Sequence, residues 1–141
     1  MDKTKLNKHF ILASSSKRRL ELLSQIGVKP DLILSPNIDE KIFSKELPHI
    51  YVERMSLEKN RVFQQKYPQS IILTADTVVS VGRRILPKTT DVNLAEECLK
   101  LISGRRHKVF TSFTVYTPNN SLKTKTIQSV SYTHLTLPTK A

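Results

Sequence analysis

A short run of serines and basic residues is the part of this sequence best suited to bind an anion. Serines occupy positions 14–16, directly after an apolar run, and Lys17, Arg18 and Arg19 follow them. Backbone N–H groups, hydroxyl donors and the helix dipole favour an anion at a helix start, and arginine adds a planar pair of donors that matches phosphate oxygens. The run therefore predicts a phosphate-binding turn around Ser14, Arg18 and Arg19. The alternative is a serine-capped helix with solvated basic residues.

A carboxylate directly follows a strongly apolar run of the chain. Asp76 comes after residues 71–75, which have the composition of a buried strand. A buried carboxylate is costly unless it is paired or binds a metal. Together with Asp39 and Glu40 it offers oxygen ligands for a divalent cation, and it could also orient or deprotonate a water molecule. The alternative is an aspartate that caps a turn through Thr77.

Two lysines have positions from which they could reach phosphate oxygens. Lys88 follows a short apolar run and Pro87, and Lys59 lies in a helical pattern. Each would act as a point charge. Taken alone, each is better explained as an ordinary surface lysine.

The elements that must position these residues alternate between strands and helices. Strands are predicted over residues 10–13, 31–35, 70–75, 77–81, 108–116 and 122–130, and helices over residues 17–26, 48 to about 66, and 91–102. The last two strands form a hairpin around a turn at residues 118–121. This order predicts an α/β layer fold with a mixed sheet flanked by helices, and ligands in such folds bind beyond the carboxyl ends of the strands.

The composition narrows the partners and the location. The net charge of +11 has three readings: nucleic-acid binding, a polyphosphate substrate held by a few cations, or a solvated basic surface. An aromatic fraction of 6% without basic-aromatic interleaving argues against nucleic acid as a partner. No run approaches the ~20 apolar residues that span a bilayer, so no membrane partner is expected. The single cysteine, Cys98, and the lack of a signal segment predict a cytoplasmic location.

Six segments, in this order, resemble the Maf family of nucleoside triphosphate pyrophosphatases. They are Leu12-Ala13-Ser14-Ser15-Ser16-Lys17-Arg18-Arg19-Leu20-Glu21-Leu22-Leu23, Asp39-Glu40, Glu58-Lys59, Ala75-Asp76-Thr77-Val78-Val79, Ile85-Leu86-Pro87-Lys88 and Ser103-Gly104-Arg105-Arg106-His107-Lys108-Val109-Phe110-Thr111. The resemblance implies Mg²⁺-dependent (or Mn²⁺-dependent) hydrolysis of a nucleoside triphosphate, such as dTTP, UTP or a modified nucleotide, to a monophosphate and pyrophosphate. It also implies a fold like that of inosine triphosphate pyrophosphatases, a role in removing unwanted nucleotides, and a homodimer.

The resemblance also assigns roles to individual residues. The phosphates would be held by Ser14, Arg18, Arg19, Lys59 and Lys88. Glu40 and Asp76 would serve the metal, Asp76 would be the base that activates water, and Thr77 would support the site.

The resemblance extends to about residue 130, which gives a Maf-like domain over residues 1–130. Residues 131–141 do not resemble the family and are predicted to be a non-native tail. Family members continue into a segment that closes the cleft, so the chain as printed is expected to have weak or no activity. The alternatives are a non-catalytic protein that binds nucleotides or nucleic acid, and an inactive fragment of the enzyme.

Overall fold

Strands and helices alternate along the chain, and the strands form a mixed sheet, as the sequence predicts. The structure is a computed structural model that describes residues 9–86, 91–119 and 121–133. Its elements are β1 (Phe10–Ala13), α1 (Lys17–Gln25), β2 (Leu32–Leu34), α2 (Pro48–Gln64), β3 (Ile71–Val81), β4 (Arg84–Leu86), α3 (Val92–Ile102), β5 (Arg105–Thr117) and β6 (Ser121–Thr133). Within these residues, no helix is long and apolar enough to cross a membrane.

Strand β3 organises the six-stranded sheet, whose order is β2-β1-β3-β5-β6 with β4 also paired to β3. One edge of β3 pairs with antiparallel β5 from Ile72 to Ser80. The other edge pairs with parallel β1 at residues 71–74 and with antiparallel β4 at residues 79–81. Among the described strands, none pairs with this second edge at residues 75–78. We call this unpaired stretch of β3 the notch.

Helix α2 covers one face of the sheet and supplies side chains to both apolar clusters of the core. One cluster contains Ile11, Ala13, Phe63, Ile72 and Tyr116, and the other contains Tyr51, Val52, Met55, Val78 and Phe110. Alternate residues of β3 face the helix, because successive side chains of a strand point to opposite sides. Asp76 belongs to this helix-facing set and is 1% exposed.

Between the two apolar clusters, α2 meets the sheet through polar side chains. The Ser56 Oγ lies 2.7 Å from the Thr114 Oγ1 and 3.1 Å from the Ser112 Oγ. The Asn60 Nδ2 donates to the main-chain oxygens of Ile72 at 3.0 Å and of Thr114 at 3.1 Å. These side chains are buried and hydrogen-bonded, which avoids the cost of burying unpaired polar groups. They fix the position of α2 along the sheet and hence the place of the neighbouring Lys59.

One element matches its prediction and another is longer. Strand β3 runs through Asp76, and the sequence predicts extended chain on both sides of that residue, over residues 70–75 and 77–81. The hairpin extends because main-chain hydrogen bonds pair residues 105–107 with residues 131–133, where the side-chain pattern gives no signal. Strand β6 therefore includes the start of the segment predicted to be non-native. Residues 134–141 lie outside the described residues, and the non-native origin of residues 131–141 stays a prediction.

Replacing Asn60 with alanine should destabilise the fold. The Asn60→Ala change leaves two buried main-chain oxygens without this donor, so we expect the free energy of unfolding to fall by about 2–3 kcal/mol. Urea unfolding followed by circular dichroism measures the difference. The exposed Gln65→Ala change at the end of the same helix is the control and should stay within about 0.5 kcal/mol of the unaltered chain. Equal stability of Asn60→Ala and the unaltered chain would contradict the assigned role.

Candidate active site

Serine side chains build the turn between β1 and α1. Ser16 is the N-cap residue of α1, and its Oγ accepts a hydrogen bond from the backbone N of Arg19 at 3.4 Å. The Ser14 Oγ accepts one from the backbone N of Ser16 at 3.1 Å, and Ser14 itself is buried. Ser15 is exposed. The sequence-predicted serine cap of this helix is therefore confirmed, and the cap places the start of α1 beside the notch.

Arg19 joins this turn to the central strand. Its Nη1 donates to the Ser14 Oγ at 3.1 Å and its Nη2 to the Thr77 Oγ1 at 3.2 Å. Thr77 is held in turn by Thr111 on β5, at 3.0 Å between the two hydroxyl oxygens. Burial lowers the pKa of Arg19, and the negative charge of Asp76 opposes this shift. Because arginine remains protonated in proteins, Arg19 is a partly desolvated cation held by two hydroxyl groups.

Lys59 lies between two carboxylates. Its Nζ is 2.8 Å from the Asp76 Oδ1 and 3.2 Å from the Glu40 Oε1. The side chain of Lys59 is 11% exposed and that of Asp76 is 1% exposed, whereas that of Glu40 is 49% exposed. The buried Asp76 is therefore paired, as its position in the sequence required. Glu40 is the solvent-facing member of the group.

Helix α2 also fixes the loop that carries Glu40. The Tyr51 hydroxyl donates to the main-chain oxygen of Glu40 at 2.6 Å. Arg54 binds Glu46 through its Nε at 2.7 Å and its Nη2 at 2.8 Å, and its guanidinium lies 3.8 Å from the ring centre of Phe43. Two-point contact between arginine and a carboxylate defines orientation as well as distance. The loop is therefore anchored at Glu40 itself and at residues that follow it.

The Tyr51 hydroxyl keeps its proton in the neutral range. Burial, followed by the negative charges of Asp76 and Glu40, raises the pKa of Tyr51 to about 12. The hydroxyl therefore remains a donor to the Glu40 main chain at neutral pH.

These groups surround one cavity at the notch, with a volume of about 390 Å³. Its walls include Ser14, Ser16, Arg19, Glu40, Lys59 and Thr77. Small-molecule sites commonly have volumes of about 300–1,000 Å³. The structure thus brings together five of the residues predicted from the sequence, in a space large enough for part of a nucleotide.

The remaining predicted residues have three different outcomes. Asp76 contributes through its ion pair with Lys59. Arg18 is exposed and does not line this cavity, so its phosphate contact stays a prediction. Lys88 lies outside the described residues.

Sequence reasoning missed Tyr51, Arg54 and Thr111. Thr111 falls in a segment that supported the family resemblance, and the strand alternation could have placed it beside Thr77. Tyr51 and Arg54 lie on a predicted helix, but nothing in their spacing indicates a contact with the loop before it. Their roles depend on how that loop folds back onto the helix.

Glu40 and Asp76 can offer two carboxylates to one cation, because both contact the same ammonium group. The described residues contain no cluster of three or more His, Cys, Asp or Glu side chains suited to a metal ion. Mg²⁺ is often bound by one or two carboxylates together with substrate phosphates. The donor set therefore fits a cation shared with a polyphosphate better than a cation held by protein alone.

The fold and the cavity define an α/β protein with a cleft in which a serine-capped helix start and Arg19 lie near two carboxylates that share Lys59. Comparison with known proteins identifies the family within this class. The family profile described as Maf-like protein matches residues 9–139. The chain belongs to the Maf family.

Named relatives share about half of their residues with this chain. It is 48% identical to a nucleoside triphosphate pyrophosphatase of Ehrlichia chaffeensis over 92% of this chain and 68% of that protein. It is 50% identical to a dTTP/UTP pyrophosphatase of a Drosophila simulans Wolbachia strain over 80% of this chain and 57% of that protein. The chain thus spans roughly two thirds or less of the length of these relatives.

Solved structures share the fold at low sequence identity. The Staphylococcus aureus Ham1 protein is similar with a TM-score of 0.60 and 12% identity, over 89% of this chain and 71% of that chain. A dITP/XTP pyrophosphatase of Mycobacterium abscessus is similar with a TM-score of 0.55 and 16% identity, over 87% of this chain and 73% of that chain. The predicted likeness in fold to nucleotide pyrophosphatases of this kind is confirmed.

The anchor of the Glu40 loop should weaken in acid. Hydrogen bonding to Arg54 is the main cause that lowers the pKa of Glu46. A lowered native pKa means that this contribution to stability is present above the pKa of the unfolded chain and is lost as the pH falls through the native value. Glu46→Gln should therefore lower the free energy of unfolding by about 1–2 kcal/mol at pH 7, and the gap should narrow towards pH 3.

Urea unfolding at both pH values measures this gap. Glu58→Gln is a matched control because Glu58 binds the same arginine more weakly, at 3.5 Å and with a side chain 37% exposed. It should change stability by less than about 0.5 kcal/mol. A gap for Glu46→Gln that does not depend on pH would contradict the assigned ion pair.

Proposed function

We propose that this chain carries the phosphate-binding and catalytic part of an enzyme that hydrolyses nucleoside triphosphates to nucleoside monophosphate and pyrophosphate. The observation that carries the proposal is the meeting of Arg19, Glu40 and Lys59 at one cavity, with Asp76 bound to Lys59 beside it. Hydrolysis of a phosphoanhydride requires neutralised phosphate charge and a positioned water molecule. The cavity offers cations for the first requirement and carboxylates for the second.

The cations and the serine turn are assigned to the phosphates. Arg19 presents a planar guanidinium at the start of α1, where the helix dipole also favours an anion. Ser14 already holds this guanidinium through its Oγ, and Thr77 supports it from β3. Lys59 adds a flexible ammonium from α2. Arg18 and Lys88 complete the set through the family resemblance.

Asp76 is assigned as the general base. It would take a proton from water as the water oxygen bonds to the α-phosphorus, and the bond from that phosphorus to the oxygen bridging to the β-phosphate would break, releasing pyrophosphate. Its burial excludes bulk water from the carboxylate, and its ion pair defines its position. Glu40 and Asp76 are the proposed ligands of Mg²⁺ or Mn²⁺. Such a cation, when bound, would supply charge neutralisation for the phosphates.

The names of the relatives guide the choice of substrate. We propose dTTP and UTP first, because the Wolbachia relative is named a dTTP/UTP pyrophosphatase, with modified nucleotides as the next group to test. Hydrolysis would then remove surplus or non-standard nucleotides from the cytoplasmic pool. A homodimer is the assembly proposed from the family, and sedimentation would test it.

The reaction should be measured with the 141-residue chain in excess over nucleotide, because slow turnover is expected of it. With Mg²⁺ and dTTP or UTP, the products should be nucleoside monophosphate and pyrophosphate. Asp76→Asn should slow their formation by about 100-fold or more, since a positioned base commonly contributes that much. Chromatographic separation of the nucleotides gives both the rate and the cleaved bond.

Glu21→Gln is the matched control for Asp76→Asn. Glu21 is an exposed carboxylate on α1, and its change should leave the rate as it was. Formation of nucleoside diphosphate and phosphate would reject the proposed bond. Full activity of Asp76→Asn would reject its role as base. Nucleotide binding with no cleavage by the unaltered chain would favour a non-catalytic binding protein.

A further inference from the structure

The ammonium group of Lys59 occupies the space between the two proposed metal ligands. Its Nζ lies 2.8 Å from the Asp76 Oδ1 and 3.2 Å from the Glu40 Oε1. Divalent cations of the Mg²⁺ type bind carboxylate oxygens at about 2.0–2.1 Å. A cation bound to the Asp76 oxygen would therefore lie within about 5 Å of this Nζ. Two positive charges this close repel each other, and they compete for the same carboxylate oxygens.

We infer that the Lys59 ammonium occupies the cation site when no metal is bound. It must move away when a divalent cation binds between Glu40 and Asp76. This inference rests on the proposed function, because it takes those two carboxylates as the metal ligands. It adds that a single side chain couples the cation site to the phosphate site.

The backbone of Lys59 is fixed while its ammonium can be displaced. The neighbouring Asn60 is bonded to the main chains of β3 and β5, which holds this turn of α2 on the sheet. The lysine stem has four flexible carbons that carry a compact charge. A displaced ammonium therefore moves within the cavity, and the helix need not shift.

The same cavity offers the displaced ammonium a destination only when an anion is bound. Lys59 shares the cavity wall with Ser14, Ser16 and Arg19, where the phosphates are proposed to bind. A cation that binds alone must break the ion pairs of Lys59, and the ammonium then has no new partner. When a triphosphate binds together with the cation, its phosphate oxygens become the new partner of the ammonium. Cation and triphosphate should therefore strengthen each other's binding, and thermodynamic linkage makes the effect equal in both directions.

The test measures Mn²⁺ binding to the 141-residue chain without nucleotide. The electron paramagnetic resonance signal of free Mn²⁺ reports how much of the ion remains unbound. Lys59→Met keeps the apolar stem and removes the ammonium. We expect it to bind Mn²⁺ more tightly than the unaltered chain by about tenfold or more, since a unit charge and a divalent cation about 5 Å apart repel by this order even at the dielectric constant of water.

Lys66→Met is the matched control. Lys66 is exposed just beyond the end of α2, so the change removes the same charge away from the cavity and should leave Mn²⁺ affinity as it was. Circular dichroism of both variants checks that they fold. An affinity of Lys59→Met equal to or weaker than that of Lys66→Met would overturn the inference. Failure of both to bind Mn²⁺ would overturn it as well, because Glu40 and Asp76 would then form no cation site.

A second measurement separates occupancy of the site from a general effect of charge. A dUTP analogue with an α,β-imido bridge, which resists cleavage at that bond, should tighten Mn²⁺ binding to the unaltered chain and to Lys66→Met. In Lys59→Met, most of this gain should disappear. An equal gain in all three chains would show that Lys59 does not exchange between the sites. Neither measurement needs turnover, so absence of hydrolysis would reject the proposed reaction and leave this result standing.

Discussion

Unequal pairing along the two edges of β3 is the constraint on which the site depends. One edge is paired with β5 without interruption from Ile72 to Ser80, so the strand continues without a break through Asp76. The other edge is divided between β1 and β4, and the notch lies between them. Because β1 ends at the notch, the serine turn and the start of α1 must lie there too. The sheet therefore places a helix start, a buried carboxylate and an open strand edge at the same point.

The contact between α2 and the sheet completes this arrangement with polar groups. Apolar contacts are not directional, so they fix the alignment of a helix less strictly than hydrogen bonds do. The hydrogen bonds of Ser56 and Asn60 allow one alignment. That alignment sets Lys59 against Asp76 and Tyr51 against the loop of Glu40. Core packing and site geometry thus depend on the same few buried side chains.

The sequence predicted much of the fold because the fold follows from local patterns. Apolar runs and helix-end residues located α1, α2 and β3 to within a few residues, and the serine cap followed from residue type alone. The divided edge of β3 could not be predicted, because it depends on which strands pair over which residues. The site could be located from the sequence because the serine turn and Asp76 both follow buried apolar runs. Ligands in such folds bind beyond the ends of the strands. The anchoring of the Glu40 loop by Arg54 could not be predicted, because it depends on how the loop folds back onto α2. No local sequence pattern indicates that contact.

The charge of the cavity also bears on why the chain has so many more basic than acidic residues. The chain contains 23 lysine and arginine residues, yet Arg19 and Lys59 are the basic residues among those described that line the cavity. Their charges are balanced there by Glu40 and Asp76. Most of the excess of +11 therefore lies elsewhere in the chain, which favours a solvated basic surface as its main source. A cavity that is nearly neutral in its described groups cannot by itself neutralise a triphosphate. Arg18 and Lys88 are proposed to supply part of the missing positive charge, and a divalent cation that enters with the substrate would supply the rest.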